Sequence, residues 1–190
     1  MTSFSPRYFP AVGYFEEIGR KEKENDYEPR QYPDDFYEGV TEPAFGSELP
    51  TTTRLAITAP ADFTVNSVGE KISDSTSGGK RTVVWQSDHP VMAFNVVAGR
   101  WKEKRGNGTA LYYHEGHPYN ITEMSQALDA ARRYYGEWFG AFPWKELKLS
   151  EFPALASYAQ GFPTNITFSE GIGFLTKSDP KTNVAFLVTA

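Results

Sequence analysis

Cysteine is absent from the 190 residues, which excludes disulfide frameworks, thiolate nucleophiles, Cys-ligated zinc and iron–sulfur clusters while leaving the redox compartment open. Basic charge is scarce as well. There are 19 Lys and Arg against 24 Asp and Glu, for a net charge of −5 and a pI near 5.3. No basic stripe is dense enough to neutralise a run of phosphates, so a nucleic-acid partner is argued against, and contact with an anionic membrane surface is disfavoured. No run approaches the roughly 18 apolar residues of a membrane span, and residues 1–20 lack the basic start and apolar stretch of a signal peptide. Histidine is limited to His89, His114 and His117. The sequence His114-Glu115-Gly116-His117 is not the zincin motif. That motif needs two histidines four apart on a helix so that both face one metal, and these are three apart beside Gly116 and Pro118. They read as surface or loop-anchoring histidines. No Gly-x-Ser-x-Gly elbow is present, and Gly106-Asn107-Gly108 and Gly171-Ile172-Gly173 lack the spacing of phosphate-binding loops.

What is present supports a globular chain. Hydrophobic residues make up 39%, and 14 Phe, 11 Tyr and 4 Trp supply large side chains for a core. Residues 1–50 hold eleven acids and five bases and read as an acidic arm or long loop. From residue 51 the pattern turns to strands. Arg54–Thr58, Phe63–Val68, Arg81–Gln86, the apolar run Val91–Ala98 and Thr109–Tyr113 predict antiparallel strands of a sandwich or curved sheet, with Gly78-Gly79 as a turn.

A helix follows. Asn120 is expected as its N-cap, with Glu123 completing a capping box. Met124, Ala127, Leu128, Ala131, Tyr135 and Trp138 form its apolar face, and a stop is expected near Gly140. The periodicity assigns Tyr135 and Trp138 to the core rather than to a stacking platform for bases or sugars. Beyond it, Leu147–Phe152 and Asn165–Glu170 alternate like strands with alternate positions buried, separated by a loop carrying Gly161 and Pro163. Asp179-Pro180 predicts the start of a last helix through Val184–Val188. With no stop signal before Ala190, the expectation is a piece of a longer chain.

Three stretches together resemble one family. They are Trp85–Gly99, the helix with Arg133-Tyr134-Tyr135, and Leu147–Asn165. The chain is similar over most of 51–190 to the aminopeptidase N family of zinc metallopeptidases, in particular the bacterial branch found with ABC-type permeases. The resemblance implies an α+β chain: the end of a β-rich saddle or sandwich domain over 51–116, then the beginning of a thermolysin-like catalytic domain over 117–190. It implies that the stretch Asn183–Ala190 approaches a zinc helix carrying His-Glu-x-x-His beyond this chain. Zinc would then belong to the intact parent, with no metal ligand and no catalytic residue in this fragment, which alone would be inactive. The implied partners are a peptide substrate and the rest of the catalytic domain. The permease link implies a membrane-associated parent with this segment in a soluble extracytoplasmic part.

The family's exopeptidase loop reads Gly-x-Met-Glu-Asn, and Gly161-Phe162-Pro163-Thr164-Asn165 occupies its place. These five are the expected substrate-binding residues. Gly161 and Phe162 would pair with a peptide main chain as an added strand, and Asn165 would position it. Thr164 departs from the family, because it has no charge to meet a substrate ammonium where the family has Glu. Glu151 or Glu170 could substitute, the parent could be an endopeptidase, or the site could have become a binding site. Two rival readings use other chemistry: a non-catalytic β-rich peptide-binding or scaffold module, and an aromatic-rich carbohydrate-binding sandwich.

Overall fold

The computed structural model describes residues 2–3, 50–154, 157–179 and 183–190; the acidic arm expected over 1–50 therefore lies almost wholly outside the described residues. After the short β1 (Thr2–Ser3), β2 (Arg54–Pro60) alternates half-buried and exposed positions as its period-two pattern requires. Next come β3 (Thr64–Ser67), β4 (Glu70–Ser77) and β5 (Lys80–Gln86). The β4–β5 hairpin turns through Gly78 and Gly79, whose φ of 57° and 74° are the paired positive values of a tight hairpin turn. The polar stretch before this turn is the exposed edge strand β4. Only the end of the apolar run 91–98 is a strand, β6 (Val96–Gly99). Val91 makes a lone bridge to Thr51.

The remaining elements are β7 (Trp101–Arg105), β8 (Thr109–His114), α1 (Ile121–Phe139), β9 (Leu147–Phe152), β10 (Ala159–Phe162), β11 (Asn165–Ser169), α2 (Glu170–Gly173) and α3 (Val184–Thr189). Among the described residues the strands form three sheets, ordered β2-β5-β4, β1-β6-β3 and β10-β11-β9-β8-β7. In the third, β9 runs parallel to both β8 and β11, while β7 and β10 are antiparallel edges. The chain is thus mixed α+β and rich in strands. β7 and β8 precede residue 116 and yet share the sheet of β9–β11, so this sheet runs across the division expected at 116/117.

One expectation fails on β9. Alternate burial was expected, but Lys148 through Phe152 are all buried. A parallel strand in the middle of a sheet is covered on both faces, and the β-rich layer packs on one side while α1 lies on the other. Antiparallel pairing, the default for neighbouring strands, gives way here because α1 carries the chain back between β8 and β9.

Met124, Ala127 and Leu128 of α1 are buried against Leu111, Leu149, Phe168, Phe174, Val184 and Val188, and Ala131 is buried as well. Asn120 is the residue before the helix but does not cap it with its side chain. It sits at φ 58°, and its amide donates to the carbonyls of Gly173 (2.6 Å) and Thr176 (2.8 Å) while its oxygen accepts from Ser178 N–H (2.8 Å). A distant loop is tied down at the expense of the capping box. α1 ends at Phe139 before Gly140, as expected. The last helix starts later than Asp179-Pro180 predicted. Asn183 is its N-cap, accepting from Phe186 N–H at 3.2 Å.

Tyr135 and Trp138 are not core. They are 45% and 79% exposed, and Phe139 is 80% exposed; among the described residues α3 reaches this end of α1 through the Thr189 carbonyl, which accepts from the Tyr135 hydroxyl at 2.9 Å, and leaves the rings uncovered. Phe186 and Leu187 of α3 are exposed too. A groove of about 390 Å³ nearby is lined by Phe142, Leu147, Ile166 and Val188. Such a surface is larger than solitary exposed apolar residues produce. The 190-residue chain is therefore expected to self-associate. Sedimentation showing a monodisperse monomer, unchanged by Trp138→Glu with Phe139→Glu, counts against this.

Candidate functional site

The segment 161–165 is a two-residue hairpin between β10 and β11, closed by the pair Phe162 and Asn165. Pro163 sets the first turn position, and Thr164 takes the second at φ 66°, a left-handed conformation that a β-branched residue adopts only under constraint. The constraint is visible. The Thr164 hydroxyl accepts from Gly69 N–H at 2.8 Å and from the Lys148 ammonium at 3.3 Å, and its carbonyl accepts from Lys148 N–H at 2.8 Å.

Asn165 is fully buried. Its oxygen accepts from the Ser150 hydroxyl at 2.9 Å, and its amide donates to the Asn95 side-chain oxygen at 3.1 Å. Ser150 in turn accepts from the Asn66 amide at 3.1 Å. These bonds form a polar seam between the β-rich layer and the five-stranded sheet. Lys148 lies in the same seam, fully buried, donating to the Gly69 carbonyl at 3.0 Å with its ammonium 4.5 Å from the centre of the Trp85 ring. Burial pushes this ammonium down to about 8, against the opposing pull of Glu146 and Glu70.

The five expected residues therefore part company. Thr164 and Asn165 turn their side chains inward and cannot meet a ligand while the seam holds. Phe162 is buried with Val68 and Val91. Gly161 is exposed on β10, an edge strand, with nothing within 4 Å of where a Cβ would stand. Hydrogen-bonded and open pairs alternate along an antiparallel ladder, so closure at Phe162–Asn165 turns the N–H and C=O of Gly161 toward the open side. What this segment offers a peptide is main chain.

A second constellation lies where β8, β9 and β11 end. Glu151 on β9 and Glu170, directly after β11, converge with His117, which follows β8. The imidazole Nδ1 of His117 contacts Glu151 Oε1 and stands 3.6 Å from Glu170 Oε2. The other Glu151 oxygen accepts from His114 N–H at 2.5 Å, and the other Glu170 oxygen accepts from Ala154 N–H at 3.0 Å. Glu151 is 2% exposed, and burial pushes its carboxyl above the usual carboxylate range even though His114 N–H and His117 pull the other way. The carboxyl ends of parallel strands are where open α/β sheets place ligands.

Sequence reasoning named Glu151 and Glu170 only as substitutes for a missing charge, and it left His117 as a loop anchor. Reading β9 and β11 as parallel would have brought both carboxylates to one sheet end. It missed Lys148, whose place in an apparent alternation assigned it to solvent. Neither the models of known protein families nor the characterised proteins compared with this chain match it.

Proposed function

We propose that this chain is part of a zinc-dependent metallopeptidase of the aminopeptidase type, with the zinc ligands and the general-base glutamate outside its 190 residues, and that Gly161 on β10, an edge strand among the described residues, seats an extended peptide. The observation that carries this reading is the bare, outward peptide group of Gly161 on an edge strand, where an added strand finds main-chain partners without a side chain in the way. The resemblance stated above supports the same reading. Zinc in the intact enzyme would activate water and polarise the scissile carbonyl.

Metal content and cleavage of peptides with free and blocked N-termini, on this chain and on a form extended past Ala190, test the reading. Cleavage confined to the longer form, with more zinc per chain there than in the shorter form, is expected; no cleavage and no added zinc in the longer form sinks it. The burial of Thr164 favours one alternative, a non-catalytic module that holds peptide by main chain alone. It gains if the extended form binds peptide without metal.

The edge itself is tested by Gly161→Pro. Proline is tolerated on an edge strand where its missing N–H faced outward, so the fold should persist while peptide affinity falls by roughly tenfold for one lost main-chain bond of about 1–1.5 kcal/mol. Unchanged affinity in fluorescence anisotropy would exclude β10 as the seat.

A further inference from the structure

We propose that His117, Glu151 and Glu170 form a binding site for a first-row divalent metal ion, separate from the downstream zinc centre proposed above. One nitrogen and two oxygens, brought from three separate segments, lie within 4.8 Å of one another. Around a tetrahedral ion with bonds of roughly 2.0–2.2 Å, ligand atoms stand roughly 3.3–3.6 Å apart. The 3.6 Å between His117 Nδ1 and Glu170 Oε2 fits that spacing, whereas the hydrogen-bonded pair of His117 Nδ1 and Glu151 Oε1 must open and give up its shared proton to admit the ion.

The surroundings support the assignment in three ways. First, each glutamate has one oxygen held by a backbone N–H, from His114 or Ala154, which leaves one oxygen of each facing the imidazole. Outer hydrogen bonds of this kind fix the aim of metal ligands. Second, the charge is unbalanced. Among the described residues no Lys or Arg pairs with Glu151 or Glu170, and a buried carboxylate calls for a cation or a proton. A single imidazole cannot offset two carboxylates. Third, Glu151 is buried but His117 and Glu170 are each 23% exposed, so one side stays open for ion entry and water ligands. One imidazole with two monodentate carboxylates suits zinc, cobalt or manganese better than calcium, which takes six or more oxygens.

Cobalt(II) reports such a site directly, through visible bands that intensify in tetrahedral coordination. The metal-stripped 190-residue chain is titrated with cobalt(II) and then with zinc, alongside His117→Gln, Glu170→Gln and the control Glu115→Gln. Glu115 is an exposed neighbour that pairs with Lys102. The expected result is saturable cobalt uptake, displaced by zinc, in the wild type and the control, weakened at least about tenfold in each of the other two variants. Far-UV circular dichroism checks that all four chains are folded. Absence of the bands in the folded wild type overturns the site in favour of a protonated imidazole bridging two carboxylates. Equal uptake by the two ligand variants overturns it in favour of adventitious binding elsewhere. Because this readout needs no peptide and no cleavage, its failure leaves the peptidase reading untouched, and the reverse holds too.

Discussion

Urea denaturation across rising pH is expected to show the wild-type chain gaining stability over Lys148→Met between pH about 8 and about 10.5. Lys148 is held in the seam by a carbonyl, a hydroxyl and the face of Trp85, with no carboxylate in contact, and its ammonium is pushed down to about 8 from an ordinary 10.5. Below that window both folded and unfolded chains carry the proton, and the folded state bears the cost of a buried charge. Within it the folded chain has released the proton and the unfolded chain has not, so each step up in pH favours folding; above it both are neutral. The full span corresponds to about 3 kcal/mol. Other lysines and tyrosines titrate in both proteins and cancel in the difference. A flat difference from pH 7 to 11 would mean that the charge is better compensated than this geometry allows. Methionine retains the length of the stem but leaves the Gly69 carbonyl without its donor, so the variant is expected near or slightly below wild-type stability at pH 7.

Gly69→Ala is expected to cost about 4 kcal/mol or to prevent folding. Gly69 stands at φ 88°, and an added Cβ would meet the Gln86 carbonyl oxygen at 2.1 Å and the Ser87 nitrogen at 2.7 Å. Both contacts are backbone and cannot swing aside. Left-handed strain contributes about 1–3 kcal/mol, and relief of the clash must shift the strand carrying Gln86, adding about 1–3 kcal/mol more. The shift also disturbs the seam, since Gly69 N–H serves Thr164 and its carbonyl serves Lys148. Gly79→Ala is the matched comparison. Its φ is 74° but nothing lies within 4 Å, so only the backbone penalty of about 1 kcal/mol is expected. Urea midpoints decide the matter. If the two substitutions cost the same, the close approach at Gly69 is not what fixes this residue.

How far the sequence foretold the structure depends on whether local or distant forces decided each element. Alternation located β2, β3, β5 and β8, and helical spacing located α1 and its stop, because those patterns follow from one element facing one core. β4 escaped notice because an exposed edge strand has no apolar face, and β10 because Gly161 and Pro163 read as loop. Lys148, Ser150 and Asn165 read as polar and therefore exposed. Their burial depends on partners 70 to 84 residues away, which no local window contains. The same blindness separated His117 from Glu151 and Glu170. Their meeting depends on parallel pairing of strands, a property of topology rather than of any spacing.

The seam also bears on how the chain reaches this structure. Its hydrogen bonds join Asn66 to Ser150, 84 residues apart, and Gly69 to Thr164, 95 apart. Closing such loops forfeits chain entropy before any contact compensates, whereas the β4–β5 hairpin closes across two glycines on the microsecond scale. The two layers should therefore acquire their local turns early and dock late. Until then a polar strip remains wet, and a chain released at that stage presents two half-built surfaces to its neighbours rather than one finished face.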